Sequence, residues 1–276
     1  MSNRIWLITG ISSGLGKALA EEVMHSGDFV IGTFRKAEQV DSFNKTFQDK
    51  ARGILLDVTH FDAIPTSVNA IIEEFGRIDV LVNNAGVGFI GAVEEASLQE
   101  IRDVMETNFF GTIAMLQAVL PHMRKAKKGN ILQISSHAGI FSLQGFGIYN
   151  ASKYALEGYS EAMAKELAPL GIHVTLVEPG PFRTNFAGAS LVEADRVIDD
   201  YNATAGAFRS KLKSVHDQQE GHPGKAAKVI IEHLNDGSPT LRLPLGSIPL
   251  KTISMKIESL RSDVEANREK ASRAVY

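Results

Sequence analysis

Short apolar runs alternate with stretches of helical period along most of this chain. Residues 4–9, 28–34, 53–59, 78–86, 129–136, 171–180 and 240–245 are of strand length and rich in Ile, Val and Leu. Residues 17–24, 67–75, 101–123, 149–170 and 225–234 repeat apolar side chains at helical spacing. Gly27 stands where it would cap the first of these helices. The alternation predicts an α/β fold, a doubly wound parallel sheet of seven strands with right-handed crossovers and helices on both faces, in one domain over residues 1–276. Two stretches depart from the pattern. Residues 185–221 have weak periodicity and mixed polarity, as substrate lids do, and 246–276 is a charged, helical tail.

Ligands of such sheets gather at the carboxyl ends of the strands, and the chain's glycines and polar signals fall there. After the first strand, Thr9-Gly10-x-x-x-Gly14-x-Gly16 leads into a helix, so that Gly10, Ser12, Ser13, Gly14, Leu15 and Gly16 can bring backbone N–H groups against a diphosphate at the helix N-terminus. Arg35 and Lys36 follow the second strand, where an adenosine ribose would lie. A basic residue there suits the 2′-phosphate of NADP(H) better than the free hydroxyl of NAD(H). Asp57-Val58 and Asn83-Asn84-Ala85-Gly86 occupy the next strand ends.

The fifth run closes in Ser136, and Tyr149 and Lys153 follow at i and i+4, on one helix face. A free phenol titrates near pH 10 and is inert at neutrality, but a cation beside it favours the phenolate. At roughly 5 Å and an effective dielectric of about 20 the attraction is on the order of 3 kcal/mol, or about two pK units, which would bring Tyr149 toward general acid–base use. Ser136 can hold a substrate oxygen. Asn108, a polar residue in an apolar helix, needs partners and either makes a structural hydrogen bond or holds a water near the reaction centre.

Composition narrows the partners. A net charge of −3 and the absence of a basic cluster argue against nucleic acid. With no cysteine, thiolate metal sites and cysteine nucleophiles are excluded. A strand begins almost at Met1 and no apolar run reaches membrane-span length, so a cytoplasmic protein without membrane attachment is expected. His216, Glu220 and His222 lack metal-ligand spacing, so no metal is expected.

In order and spacing, the TGxxxGxG, NNAG, Ser136, Tyr149-x-x-x-Lys153 and Pro179-Gly180 motifs resemble the short-chain dehydrogenase/reductase family, over roughly residues 4–245. The resemblance implies a Rossmann-type sheet ordered 3-2-1-4-5-6-7 and hydride transfer between NADP(H) and a small-molecule carbonyl or secondary alcohol. It makes Tyr149 the general acid/base, and gives Lys153 the nicotinamide ribose and the lowering of the phenol's pKa. Ser136 would polarise the carbonyl and Asn108 would hold a water. Asp57 and Val58 would meet the adenine, Asn84, Ala85 and Gly86 the cofactor floor, and Pro179, Gly180 and Thr184 the nicotinamide end. Ser13 stands where NADP-preferring members often carry a second basic residue. A catalytically inactive NADP-sensing protein on the same fold is the alternative, and none of Ser136, Tyr149 and Lys153 is missing as that would require.

Three further expectations concern shape. Val87, Phe89, Ile140, Phe141, Leu143, Phe146, Phe182 and Phe186 should wall an apolar pocket, with His137 as its polar group. The helices over 101–123 and 149–170 carry Phe109, Met115, Leu116 and Met163 beyond one apolar stripe, which predicts pairing into a homodimer or homotetramer. Residues 185–221 should order over the site as substrate binds.

Overall fold

In the first strand, β1 (Ile5–Ile8), neighbouring side chains enter two different cores. Trp6 and Ile8 join one apolar cluster and Leu7 the other, because successive strand residues point to opposite faces. Both faces are covered, which is why the strands read as unbroken apolar runs. The computed structural model describes residues 3–188, 190–215, 218–236 and 239–275.

The main sheet contains β1, β2 (Phe29–Phe34), β3 (Ala51–Leu55), β4 (Val80–Asn83), β6 (Gly129–Ile134), β7 (Ile172–Pro179) and β9 (Arg242–Leu245). Its order is β3-β2-β1-β4-β6-β7-β9, parallel at every pairing, which is the expected seven-strand order. A separate parallel pair, β5 (Gly88–Ile90) with β8 (Leu191–Glu193), was not expected. Strands this short carry too little pattern to be seen.

On one face, α1 (Gly14–His25) and α8 (Pro223–Asn235) pack through Leu19, Val23, Ala227 and Ile230. The amphipathic α2 (Ala37–Phe47) adds Val40, Phe43 and Phe47 at that cluster's edge. On the other face lie α3 (Ala63–Phe75), α5 (Gly111–Ala126) and α6 (Gly147–Leu167). Met115, Leu116 and Met163 belong to this core and face the sheet. They are therefore not a second face for a partner, contrary to expectation. Phe109, half-buried, and Phe110, exposed, stay outside that core and stack edge-on, with Tyr159 edge-on to Phe109.

The long helix expected over 101–123 is broken. A capping box of Ser97 and Glu100 starts α4 (Leu98–Met105), and a π-helical turn, Glu106–Phe110, separates it from α5. That turn sends Asn108 into the interior. After β9, α9 (Ser247–Ser272) meets the body through Pro249 and Thr252, and from Ile257 onward every described residue is exposed. Among the described residues no helix is long and apolar enough to cross a membrane.

Candidate active site

Where the chain winds to opposite sides of the sheet, between β1 and β4, the strand ends leave a crevice. Gly10 and Gly14 there have φ of +69° and +63°, a region L side chains rarely adopt. A Cβ on Gly16 would lie 2.2 Å from Asn84 Nδ2 and 2.7 Å from the Gly10 carbonyl oxygen. Thr9 Oγ1 accepts from the N–H groups of Asn84 (2.9 Å) and Ala85 (3.0 Å), and Asn84 Nδ2 donates to the carbonyls of Thr9 and Gly10. The two strand ends are thus stitched together by backbone and short polar groups. Ser13 caps α1 in extended conformation without a side-chain cap bond, and no acidic residue stands in the first turn. A helix start of this kind, with glycines before it, fits an anion such as a dinucleotide diphosphate.

Arg35 is exposed at the end of β2 and forms no ion pair among the described residues. Asp57 and Val58 lie past the end of β3, because that strand runs over Ala51–Leu55, earlier than expected. Burial raises Asp57's carboxyl, but hydrogen bonds from Thr59 N (3.0 Å) and Oγ1 (2.8 Å) and the charges of Arg35 and His60 outweigh it, leaving it below its ordinary value. Pro179 and Gly180 end β7, and Thr184 comes within 3.5 Å of where a side chain on Gly14 would be. Thr184, from the expected nicotinamide end, therefore reaches the glycine turn.

Ser136, Tyr149 and Lys153 come together at the carboxyl end of β6, all buried. Ser136 Oγ accepts from Ala138 N at 3.1 Å and donates a long bond of 3.5 Å to the Pro179 carbonyl, a proton it can redirect to a ligand oxygen. Lys153 Nζ donates to the Ile134 carbonyl at 2.8 Å and lies 5.8 Å from the Tyr149 ring centre. A Cβ on Gly86 would approach both Asn108 Oδ1 (3.2 Å) and Lys153 Nζ (3.7 Å), so three of the expected residues share one small volume. The Asn108 side chain bonds Val87 N (2.8 Å), Val87 O (2.9 Å) and Ser152 Oγ (3.0 Å), clamping the connection that carries Gly86. This is the structural bond, and a water on its side chain is not needed to satisfy it.

Electrostatics correct one expectation. Burial pushes the Tyr149 phenol up to about 12, with nearby Ser136 working the other way. Burial likewise brings the Lys153 ammonium down to about 8, against the attraction of Glu157. Lys153 does not offset this desolvation, and the chain alone holds Tyr149 as a neutral phenol at pH 7.

The expected pocket wall divides. Phe146 and Phe186 stack on Tyr149 at 5.3 and 5.4 Å, and Leu143 joins their cluster. Phe89 sits in a different core and Phe182 packs toward α1 and α8. What the pattern missed is α7 (Ala207–Ser214), whose Phe208 and Leu212 cover Phe146 and Tyr149. Buried Glu95 ties this segment down, accepting from Arg209 (2.8 Å), Ile198 N (2.9 Å) and Ala92 N (2.7 Å). His137 is buried, which lowers its pKa, and its Nδ1 meets Thr252 of α9 at 3.1 Å. A cleft of 570 Å³ lined by Leu143, Asn150, Ala151, Tyr154 and Lys256 lies on the opposite face of α6 from Tyr149 and is not this site.

Glu220 and His222 cap α9 and α8, with Glu220 accepting from Ser247 and His222 from Gly224. His216 lies outside the described residues, and among those described no three His, Cys, Asp or Glu could hold a metal.

Comparison with known proteins agrees with this geometry. The family model for short chain dehydrogenase matches residues 4–194. A 3-ketodihydrosphingosine reductase of Bacteroides thetaiotaomicron is 40% identical over 251 residues, 90% of each protein. The crystal structure of a short-chain dehydrogenase from Streptomyces avermitilis is 39% identical, with a TM-score of 0.92 over 99% of this chain and 98% of that one. ElxO with NADP bound is 28% identical, with a TM-score of 0.75 over 90% of this chain and 99% of its own. The chain therefore belongs to the short-chain dehydrogenase/reductase family of oxidoreductases.

Proposed function

We propose that the chain is an NADP(H)-dependent oxidoreductase that interconverts a bulky apolar ketone or aldehyde and its alcohol, with Tyr149 as general acid/base. The observation that carries this is the buried, protonated Tyr149 beside Ser136, one helical turn from Lys153, at the edge of a glycine cradle that only an anion fits. When bound, a nicotinamide cofactor supplies or accepts the hydride. In reduction, Tyr149 gives its proton to the carbonyl oxygen while Ser136 donates a hydrogen bond to the same oxygen. The Lys153 ammonium stabilises the phenolate left behind, and oxidation runs the same proton back.

Gly10, Ser12, Ser13, Gly14, Leu15 and Gly16 would hold the diphosphate, Asp57 and Val58 would meet the adenine, and Asn84, Ala85 and Gly86 would line the cofactor floor. Pro179, Gly180 and Thr184 would close the nicotinamide end. The exposed Arg35 supports NADP(H), as does the NADP bound to ElxO. The Phe146, Phe186 and Phe208 cluster around Tyr149 supports an apolar substrate, and so does the likeness to a protein named for a keto-sphingoid substrate. Residues 185–221 serve as the lid and 247–272 as an outlying helix. The Phe109, Phe110 and Tyr159 patch supports assembly into a homodimer or homotetramer. A panel of long-chain and aryl ketones against small keto acids, followed by loss of NADPH and of NADH absorbance, tests the reading. Turnover of the bulky ketones with NADPH is expected. A higher kcat/KM for keto acids, or for NADH, contradicts it.

A further inference from the structure

One helical turn beyond Lys153 on the same face of α6, Glu157 is buried, its side chain 6% exposed. Glu178, on β7, is 0% exposed. One guanidinium serves both: Arg242 Nη1, from the neighbouring β9, bonds Glu157 Oε2 and, at 3.0 Å, Glu178 Oε1. Arg242 Nη2 reaches the half-exposed Glu161 at 3.1 Å. The second oxygens of Glu157 and Glu178 have no donor among the described residues. Gly139 lets the turn after β6 close over this cluster, since a Cβ there would lie 2.9 Å from both Glu157 Cγ and Ser135 Oγ. Two carboxyls in an apolar wall with one cation between them cannot both ionise freely.

The geometry points to Glu157 as a positioning residue: buried one helical turn from Lys153 and clamped by Arg242, its carboxylate holds the buried Lys153 ammonium charged. This rests on the reading of Lys153 as the partner of Tyr149. The charged and titratable groups facing Lys153 and Glu157 are Tyr149 on α6, Glu178 on β7 and Arg242 on β9, with Glu161 at the solvent edge; His137, on the turn after β6, faces Thr252. The electrostatics agree. Burial raises Glu157 and Glu178, each is raised or relieved by the other groups of the cluster, and Glu157 is the anion that opposes the fall of Lys153. Burial alone leaves an ammonium at this depth poorly charged.

The pair of substitutions Glu157→Gln and Glu157→Asp separates this from packing, because the first removes the charge and keeps the shape while the second keeps the charge and changes the shape. Carbon NMR of labelled lysine in the full-length protein, with Lys153 assigned through Lys153→Arg, reads the ionisation directly. In Glu157→Gln the midpoint should fall by at least about one pH unit. In Glu161→Gln, at the solvent edge, it should stay. With the parent midpoint near 8, kcat/KM at that pH should fall about fivefold in Glu157→Gln. An unmoved midpoint in Glu157→Gln, or an equal fall in Glu161→Gln, overturns the proposal. Should Glu157→Gln fail to fold, Glu157→Asp decides alone, a fall of less than about half a pH unit supporting and a larger one refuting. If the NMR midpoint moves while the high-pH limb of kcat/KM does not, the proton-transfer reading of Lys153 fails and the clamp stands.

Discussion

The nucleotide side and the substrate side of the crevice are held by different physics. Around β1 and β4 the fit is made of backbone: positive-φ glycines, an uncapped helix start, and Thr9 and Asn84 sewing two strand ends together. Around Tyr149 it is made of side chains: aromatic edges, the Glu95–Arg209 pair, and helix α7, which lies on Phe146. A backbone fit tolerates one residue type at each place, whereas a side-chain fit can be rebuilt many ways. The first side should therefore break outright under substitution, and the second should shift.

The largest effect is expected at Gly16→Ala. Its Cβ would be 2.2 Å from Asn84 Nδ2, so the variant should lose about 1–3 kcal/mol of stability and roughly a hundredfold in NADPH affinity by fluorescence titration. NADPH binding at the parent's strength would show that the turn is not a cradle. Next, Arg35→Asp should lower kcat/KM with NADPH about tenfold to hundredfold, the worth of hydrogen bonds to a charged group, and raise that with NADH. Unchanged preference would move the 2′-phosphate contact elsewhere.

On the other side, Arg209→Met leaves the buried Glu95 carboxylate without its cation. Proteolysis within residues 199–215 should quicken on the order of tenfold, with KM for a bulky ketone rising and NADPH affinity unchanged. Parallel loss of NADPH affinity would erase the distinction between the two sides. The smallest effect is on pH and stability. Glu178 is raised by burial from 4.5 to about 7, so between those values the unfolded chain releases a proton that the folded chain keeps, and stability falls as pH rises. Glu178→Gln should flatten the Tm against pH curve over that window.

The same contrast explains what could be read in the chain beforehand. Glycine spacing, strand ends and the Tyr149–Lys153 interval are local, and the family resemblance they carry implied the sheet order. The side-chain fit is not local. Phe208 and Leu212 reach Phe146 and Tyr149 from a segment without clear period, and β8 is three residues long. Met115 and Leu116 looked surplus to one stripe because the sheet and neighbouring helices both bury them. The Tyr149 phenol stayed neutral because burial, invisible along the chain, outweighed a charge that was visible. Glu178 was the missed signal, a lone acid inside an apolar strand run.

The central claim is that Tyr149 transfers the proton. Tyr149→Phe keeps the ring that packs on Phe146 and Phe186 and removes only the hydroxyl. Single-turnover reduction of a bulky ketone, measured beside NADPH affinity on the same preparation, should show a rate lower by about 10²–10⁴ with affinity within about twofold of the parent. A rate within about tenfold of the parent at full NADPH occupancy would contradict it.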